Sequence, residues 1–386
     1  MFYSTKNKKT MTAKLLFFGL LISFLMTSCG QDPQPPAGGY YTTEALEFRI
    51  DTLATGLQNP WGMAFLPDGR ILIVERPGRL RIFEDGQLHP DPVSGLPPVW
   101  SHGQGGLLEV TLHPDYEDNG WIYLAYARQG NGGGNTAISR GRLQGHQWVD
   151  EELLFHGQPH TGRQHHFGSR IVFDENNYLF TTIGDRGQMD NAQDLSNHNG
   201  KVLRLHDDGS VPSDNPFVDD PDAMDEIWTY GNRNIQGMAF HPATGELWTH
   251  EHGPRGGDEI NLMKKGENYG WPEVTHGINY DGTIITTDTT REGMVDPILH
   301  WTPSIAPCGL AFVDSDKFPG WEYNMLVGAL AGQHIHRVVF EGNEVVHTEK
   351  LLEGFARFRD VRQGPDGYIY VLTENPGLFF RMVPRE

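Results

Sequence analysis

Paired histidines followed by an acid are the first chemistry this chain offers. His165-His166-Phe167-Gly168-Ser169-Arg170 precedes Gly184-Asp185-Arg186-Gly187. A histidine titrates near neutral pH, so it can act as a general base, and a nearby carboxylate can orient the ring and stabilise its protonated form. Adjacent residues on a strand face opposite ways, so only one of the two histidines can serve a given site. Further on, Gly231-Asn232-Arg233-Asn234 places an arginine and an asparagine in a glycine-flanked segment, a pattern suited to fork-like recognition of a planar anion. Gly253-Pro254, with Asp258 and Glu259 close behind, offers turn carbonyls and carboxylates, the hard oxygens that Ca2+ prefers, although the spacing is not that of an EF-hand. Arg357 and Arg359 share one face of a strand and call for an anion between them. Structural uses compete with each reading. Asp185 can be a turn residue, Arg233 can bond local carbonyls, and the arginine pair can be answered by Asp360 or another acid.

These residues need a frame, and a repeat supplies one. An apolar residue, a Pro/Asp/Gly turn and an alternating apolar run recur six times. The copies are Phe65 to Val74, Leu112 to Tyr126, Phe173 to Thr182, Phe240 to Thr249, a looser one from Phe312 to Ala329, and Gly364 to Leu372. Turn residues supply the dihedrals of a hairpin, and period-two alternation marks a half-buried strand. One hairpin cannot bury both its faces, so such units stack around an axis. The fold class is all-β: a six-bladed β-propeller with four-stranded antiparallel blades. A two-sheet sandwich is the alternative, and the regular spacing argues against it. The chemical segments fall beside these hairpins, where propeller loops gather at one end of the channel.

Residues 1–28 read as an export signal of the lipoprotein type. Lys6, Lys8, Lys9 and Lys14 surround or precede the apolar run Leu15–Met26, and Met26-Thr27-Ser28-Cys29 resembles a lipoprotein cleavage box. The apolar run is short for a bilayer span. Cys29 would then carry lipid, residues 29–45 would form a flexible tether, and residues 46–386 the propeller. The expected location is the periplasmic side of the outer membrane or the cell surface, with membrane contact only through that lipid. Cys308 is left as a lone thiol with no disulfide partner. The net charge of −20 argues against nucleic-acid binding, which needs a basic face. With 47 glycines and 25 prolines, a helical bundle is excluded as well.

Taken in order, the segments resemble the soluble pyrroloquinoline quinone (PQQ) dependent sugar dehydrogenases, in particular the aldose sugar dehydrogenase branch. The resemblance runs from about Leu53 to Pro384. It rests on Asn59-Pro60-Trp61-Gly62-Met63, Gly103-Gln104-Gly105-Gly106, His166-Phe167-Gly168-Ser169-Arg170, Gly231-Asn232-Arg233-Asn234, Gly253-Pro254, Asp258-Glu259-Ile260-Asn261, Asn268-Tyr269-Gly270-Trp271-Pro272 and Arg357-Phe358-Arg359-Asp360. It implies PQQ and Ca2+ as cofactors. It makes His166 the base, Asp185 its carboxylate, and Gln104 and Tyr280 substrate contacts. It makes Arg233, Asn234, Arg357 and Arg359 cofactor contacts, Gly253 and Pro254 carbonyl ligands of a calcium beside the quinone, and Glu259 and Tyr269 members of a second calcium site.

One position departs from that pattern. Ala331 stands where family members often carry a lysine, which leaves more of the cofactor's charge to the arginines, with Gln333 or His334 as substitutes. The implied reaction is oxidation of an aldose at the anomeric carbon to a lactone, with electrons passed to an external acceptor such as a quinone, cytochrome or dye. No Cys-x-x-Cys-His haem motif occurs in the chain. A calcium-dependent lactonase and a non-catalytic binding propeller are the competing classes. The first has no need of the arginine pair, and the second needs neither His166 nor a metal.

Overall fold

Each repeat folds as the first two strands of a blade. In the first blade Pro60–Phe65 runs into Ile71–Glu75 through a turn in which Gly69 has φ +91°, a conformation that glycine adopts without steric cost. The Asp68 carboxylate accepts the Arg70 N–H at 3.1 Å and so mimics a backbone turn. Asp174 and Asp366 do the same in the third and sixth copies, accepting from Asn176 and Tyr368. This computed structural model describes residues 39–386 and Met1. The leader and Cys29 lie outside the described residues.

Six antiparallel sheets result, and five of them have four strands. The innermost strands are Pro60–Phe65, Leu107–Leu112, Ile171–Phe173, Ile235–Phe240, Pro307–Phe312 and Arg357–Gln363. Each touches its neighbour in turn, and the sixth touches the first, so the ring closes. The sixth sheet departs from the expected count. Its three C-terminal strands are completed by Glu47–Thr55, which pairs with Leu378–Pro384, and then by Tyr41–Thr42. Ordered backbone therefore starts before residue 46, and Tyr41 stacks on Phe48 inside the span expected to be tether.

Apolar side chains fill the gaps between blades. Six hydrophobic clusters, one at each junction, account for the core of the described residues. Trp248 of the fourth blade packs against Leu310, Phe312 and Val327 of the fifth, and is 1% exposed. Truncating such a residue to alanine costs about 3–5 kcal/mol. Among the described residues no helix is long and apolar enough to cross a membrane.

Candidate active site

In an antiparallel hairpin the start of the first strand and the end of the second lie at the same end. Gln104, His166, Arg233, Asn234 and Arg357 all sit at or just before innermost strands, and Asp185, Gly253, Pro254 and Ala331 just after second strands. One rim of the ring thus collects nearly every residue singled out from the sequence. A further contribution comes from the long connection 264–298 of the fourth blade. It runs back along the third blade, where Asn268 bridges Tyr230, and delivers Trp271, Asn279 and Tyr280 to the same rim.

A cavity of about 410 Å3 opens there, lined by Gln104, His165, His166, Asp185, Arg233 and Pro254, with Met189, Trp271, Asn279 and Tyr280 among the remaining walls. His166 is buried, and its Nδ1 lies 2.6 Å from Asp185 Oδ1. An ionised carboxylate only accepts, so Nδ1 carries the proton and Nε2 keeps its lone pair. Burial lowers the His166 pKa to about 4, against the opposing pull of the Asp185 hydrogen bond, so the ring is neutral at pH 7. Burial by itself would raise the Asp185 carboxyl. Hydrogen bonds from His166 and Gly187 N, with the nearby Arg233 charge, bring it below the usual range instead. Its second oxygen accepts the Trp271 indole N–H at 2.9 Å.

His166 is held in an uncommon backbone conformation. His166 has φ +57°, where a side chain is crowded. Its N–H donates to Gln104 Oε1 at 2.9 Å, and its carbonyl and that of His165 accept from Arg186. Arg186 also donates to the carbonyls of Gly134 and Arg163 and lies 3.4 Å over the Phe167 ring. Gly184 is required close by, because a Cβ there would sit 2.4 Å from the His166 carbonyl oxygen. Gln104 therefore lines the cavity and positions His166 as well.

The Arg233-Asn234 pair separates. Arg233 lines the cavity, 5.4 Å over Trp271, and donates to the carbonyls of His252 and Gly253, both at 2.9 Å. Asn234 does not line it. Its Oδ1 accepts from Gly168 N and Gln236, which ties down the turn after the base. Beneath them the buried Glu251 carboxylate accepts the backbone N–H groups of Arg233 and Asn234 at 2.5 and 3.0 Å and the Asn232 amide at 3.0 Å.

Arg357 and Arg359 also stand apart from this cavity. Glu374 answers both: Arg359 donates to it at 2.9 and 3.0 Å, and Arg357 lies 3.9 Å away. The acid is thus neither an open anion site nor Asp360, which pairs deeper in the channel with Arg362 and Arg170. Arg359 is buried against Trp61, whereas the Arg357 side chain is 38% exposed and bonds only the Leu330 carbonyl at hydrogen-bond distance. Ala331 is exposed in the same loop cluster. His334 is turned into its blade toward Gly332 O and His336, so it does not stand in for a lysine.

The oxygen-rich positions also divide. Pro254 lines the cavity, and the Gly253 carbonyl beside it is held by Arg233. Glu259 faces Glu251 across adjacent strands. Burial, with the charges of Glu251, Asp258 and Asp296, raises its carboxyl to about 8. The Tyr269 hydroxyl is spent on Leu262 O and Lys264 N, which leaves its carbonyl as the group it can offer. Tyr280 is 70% exposed at the cavity rim. Sequence reasoning missed Trp271 and Arg186 as supports of the dyad. Both sit in quoted segments, yet neither partner is near enough in sequence to be read from it.

A family model described as Glucose / Sorbosone dehydrogenase matches residues 57–381. The chain is 44% identical to the aldose sugar dehydrogenase YliI of Escherichia coli over 344 residues, covering 87% of this chain and 93% of that one. The crystal structure of the soluble aldose sugar dehydrogenase from Escherichia coli, in its apo form, superposes with a TM-score of 0.84 at 42% identity, covering 88% of this chain and all of that one. The PQQ-bound form of the aldose sugar dehydrogenase from Streptomyces coelicolor superposes with a TM-score of 0.73 at 26% identity, covering 88% and 98%.

Proposed function

The chain belongs to the glucose/sorbosone dehydrogenase family, and on that premise we propose that it oxidises aldose sugars at the anomeric carbon to lactones, using PQQ and Ca2+. The observation that carries the reading is the His166–Asp185 pair at 2.6 Å in a cavity lined by Arg233, whose guanidinium donates to carbonyls and to no carboxylate.

The residues present fit the cofactors. A pocket of about 410 Å3 falls within the roughly 300–1,000 Å3 range of small-molecule sites. Arg233 has donors to spare for carboxylates in the cavity, since a guanidinium carries five N–H groups, whereas the partly exposed Arg357 lies outside that cavity. Pro254 lines the cavity and the Gly253 carbonyl lies beside it, so these two carbonyls would hold a cation there. Glu259, kept protonated near neutral pH by burial and by Glu251 and Asp296, would exchange its proton for a second Ca2+, and the Tyr269 carbonyl is free to join it. When bound, PQQ would supply a hydride acceptor and Ca2+ a Lewis acid beside it. His166 Nε2 takes the proton from the anomeric hydroxyl as the carbon loses its hydride. Asp185 holds Nδ1–H and stabilises the imidazolium that forms. Gln104 and Tyr280 flank the sugar. The open rim lets electrons leave to an external acceptor, a quinone, cytochrome or dye.

Export as a lipoprotein through Cys29 is part of the same proposal and rests on the leader sequence alone. The reading is tested by titrating the calcium-loaded protein with PQQ and following dye reduction with a panel of aldoses. Saturable binding with sugar-dependent reduction is expected. No binding at up to millimolar PQQ would remove the cofactor assignment, and binding without turnover on any aldose would remove the substrate class.

A further inference from the structure

Far from the rim, the seam between the first two blades holds a cluster the dehydrogenase reading does not use. Glu84 ends the strand Arg79–Glu84, His89 follows the strand Gln87–Leu88, and His146 sits in the turn between Gly133–Gln144 and Gln147–His156. One ring nitrogen from each histidine and one Glu84 carboxylate oxygen all lie within 4.8 Å of one another. His146 Nε2 is 2.9 Å from Glu84 Oε1, and the two imidazole centroids are 4.0 Å apart. All three side chains are partly accessible.

We propose that Glu84, His89 and His146 form a binding site for a divalent transition ion of the Zn2+ type, which clasps the first blade to the second. Two imidazoles and a carboxylate are a donor set that suits zinc, with the fourth position left to water. His89 already has the support a ligating histidine needs. Its Nδ1 lies 2.9 Å from the Asp91 carbonyl, which fixes Nδ1–H and leaves Nε2 as the lone-pair nitrogen. The Asp91 N–H at 3.2 Å is the weaker competitor for the same atom. The His89 carbonyl is itself pinned by Arg81 at 2.8 Å, and the charge of that arginine is answered by Glu75.

The seam is already a rigid mount. Ser94 donates to the His146 carbonyl at 3.1 Å and accepts from Trp148 N at 2.8 Å, so His146 cannot drift from the first blade. Ion entry replaces the contact between His146 Nε2 and Glu84 Oε1: the neutral imidazole offers its Nε2 lone pair to the metal and carries its single proton on Nδ1, with no net proton release. The chain's net charge of −20 raises the local concentration of cations of any kind, so the selectivity for zinc over calcium must come from the imidazoles.

Full-length protein, stripped with chelator and reloaded with Ca2+, would be titrated with ZnCl2 by calorimetry and by thermal melting. One saturable site is expected, with a Tm rise of roughly 5 °C at a hundredfold excess of zinc over its Kd. His89→Ala and His146→Ala should each weaken zinc binding by at least about tenfold and abolish the shift. Their metal-free Tm, close to that of the parent protein, shows that they fold. The PQQ-dependent activity is expected to be the same with and without zinc. Absence of a saturable zinc site, a shift that survives in the double histidine variant, or equal displacement by calcium would each overturn the proposal.

Discussion

Two sets of buried arginines serve opposite ends of the channel. Deep in the ring, Arg170 and Arg362 share the carboxylates of Glu109 and Asp360 at 2.6–3.3 Å, so two cations meet two anions. Burial works against the Arg170 charge, but the two acids more than offset it and its pKa is raised. At the rim, Arg186 and Arg233 have main-chain carbonyls as their hydrogen-bond partners. Burial lowers Arg186 to about 9, with Asp185 the opposing influence. The deep set is neutral and serves the fold. The rim set has Asp185 as a neighbouring counter-charge but no carboxylate in direct contact with a guanidinium, so it keeps N–H donors that an anionic ligand can use.

Five experiments sharpen or break this contrast. His166→Asn is expected to lower kcat by about 10²–10⁴-fold with PQQ affinity and Tm nearly unchanged, and a variant that keeps most of its turnover would end the base assignment. Arg170→Met should act on stability instead, costing about 3–5 kcal/mol in a denaturant melt, because Glu109 and Asp360 are left short of a cation. A loss under 1 kcal/mol would mean that the deep network is not what holds the ring. Lowering of stability by acid comes next. His166 titrates near 4 when folded and near 6.5 when unfolded, so the unfolded chain binds more protons between those values. Stability of the cofactor-free protein is present in full above pH 6.5 and lost toward pH 4, by about 3 kcal/mol from this residue. A slope identical in His166→Asn would contradict that. Asp185→Asn should cost roughly 10–150-fold in kcat, the worth of a hydrogen bond to a charged group. Trp271→Phe removes one donor to the same carboxylate and should cost about tenfold or less. If it cost more than the Asp185 change, the tryptophan would have a contact of its own with substrate.

The repeats carried most of the fold into view, because a hairpin announces itself locally through Asp68-Gly69 or Asp366-Gly367 and the alternation that follows. Closure by Glu47–Thr55 was invisible for the converse reason. That strand's link to the rest of the sheet is through Leu378–Pro384, and no local pattern encodes a partner at the other end of a chain. The site follows the same division. Residue types and their order singled out His166, Asp185, Arg233 and Pro254, and the structure lines one cavity with them. What escaped were contacts made across the ring, such as Trp271 to Asp185, 86 residues apart. The partner of Arg357 and Arg359 was missed likewise, since Glu374 is brought opposite them only by strand register.

The completion of the sixth sheet also sets a timetable. Asp51 and Arg381, which meet across that seam, lie 330 residues apart along the chain. A ribosome makes the first of them long before the second. Until then Glu47–Thr55 has only the two-residue strand Tyr41–Thr42 beside it, and the ring is an open stack with two raw edges. Pairing at that distance carries a large loop-closure cost, so the latch is expected to be the last and slowest event of folding.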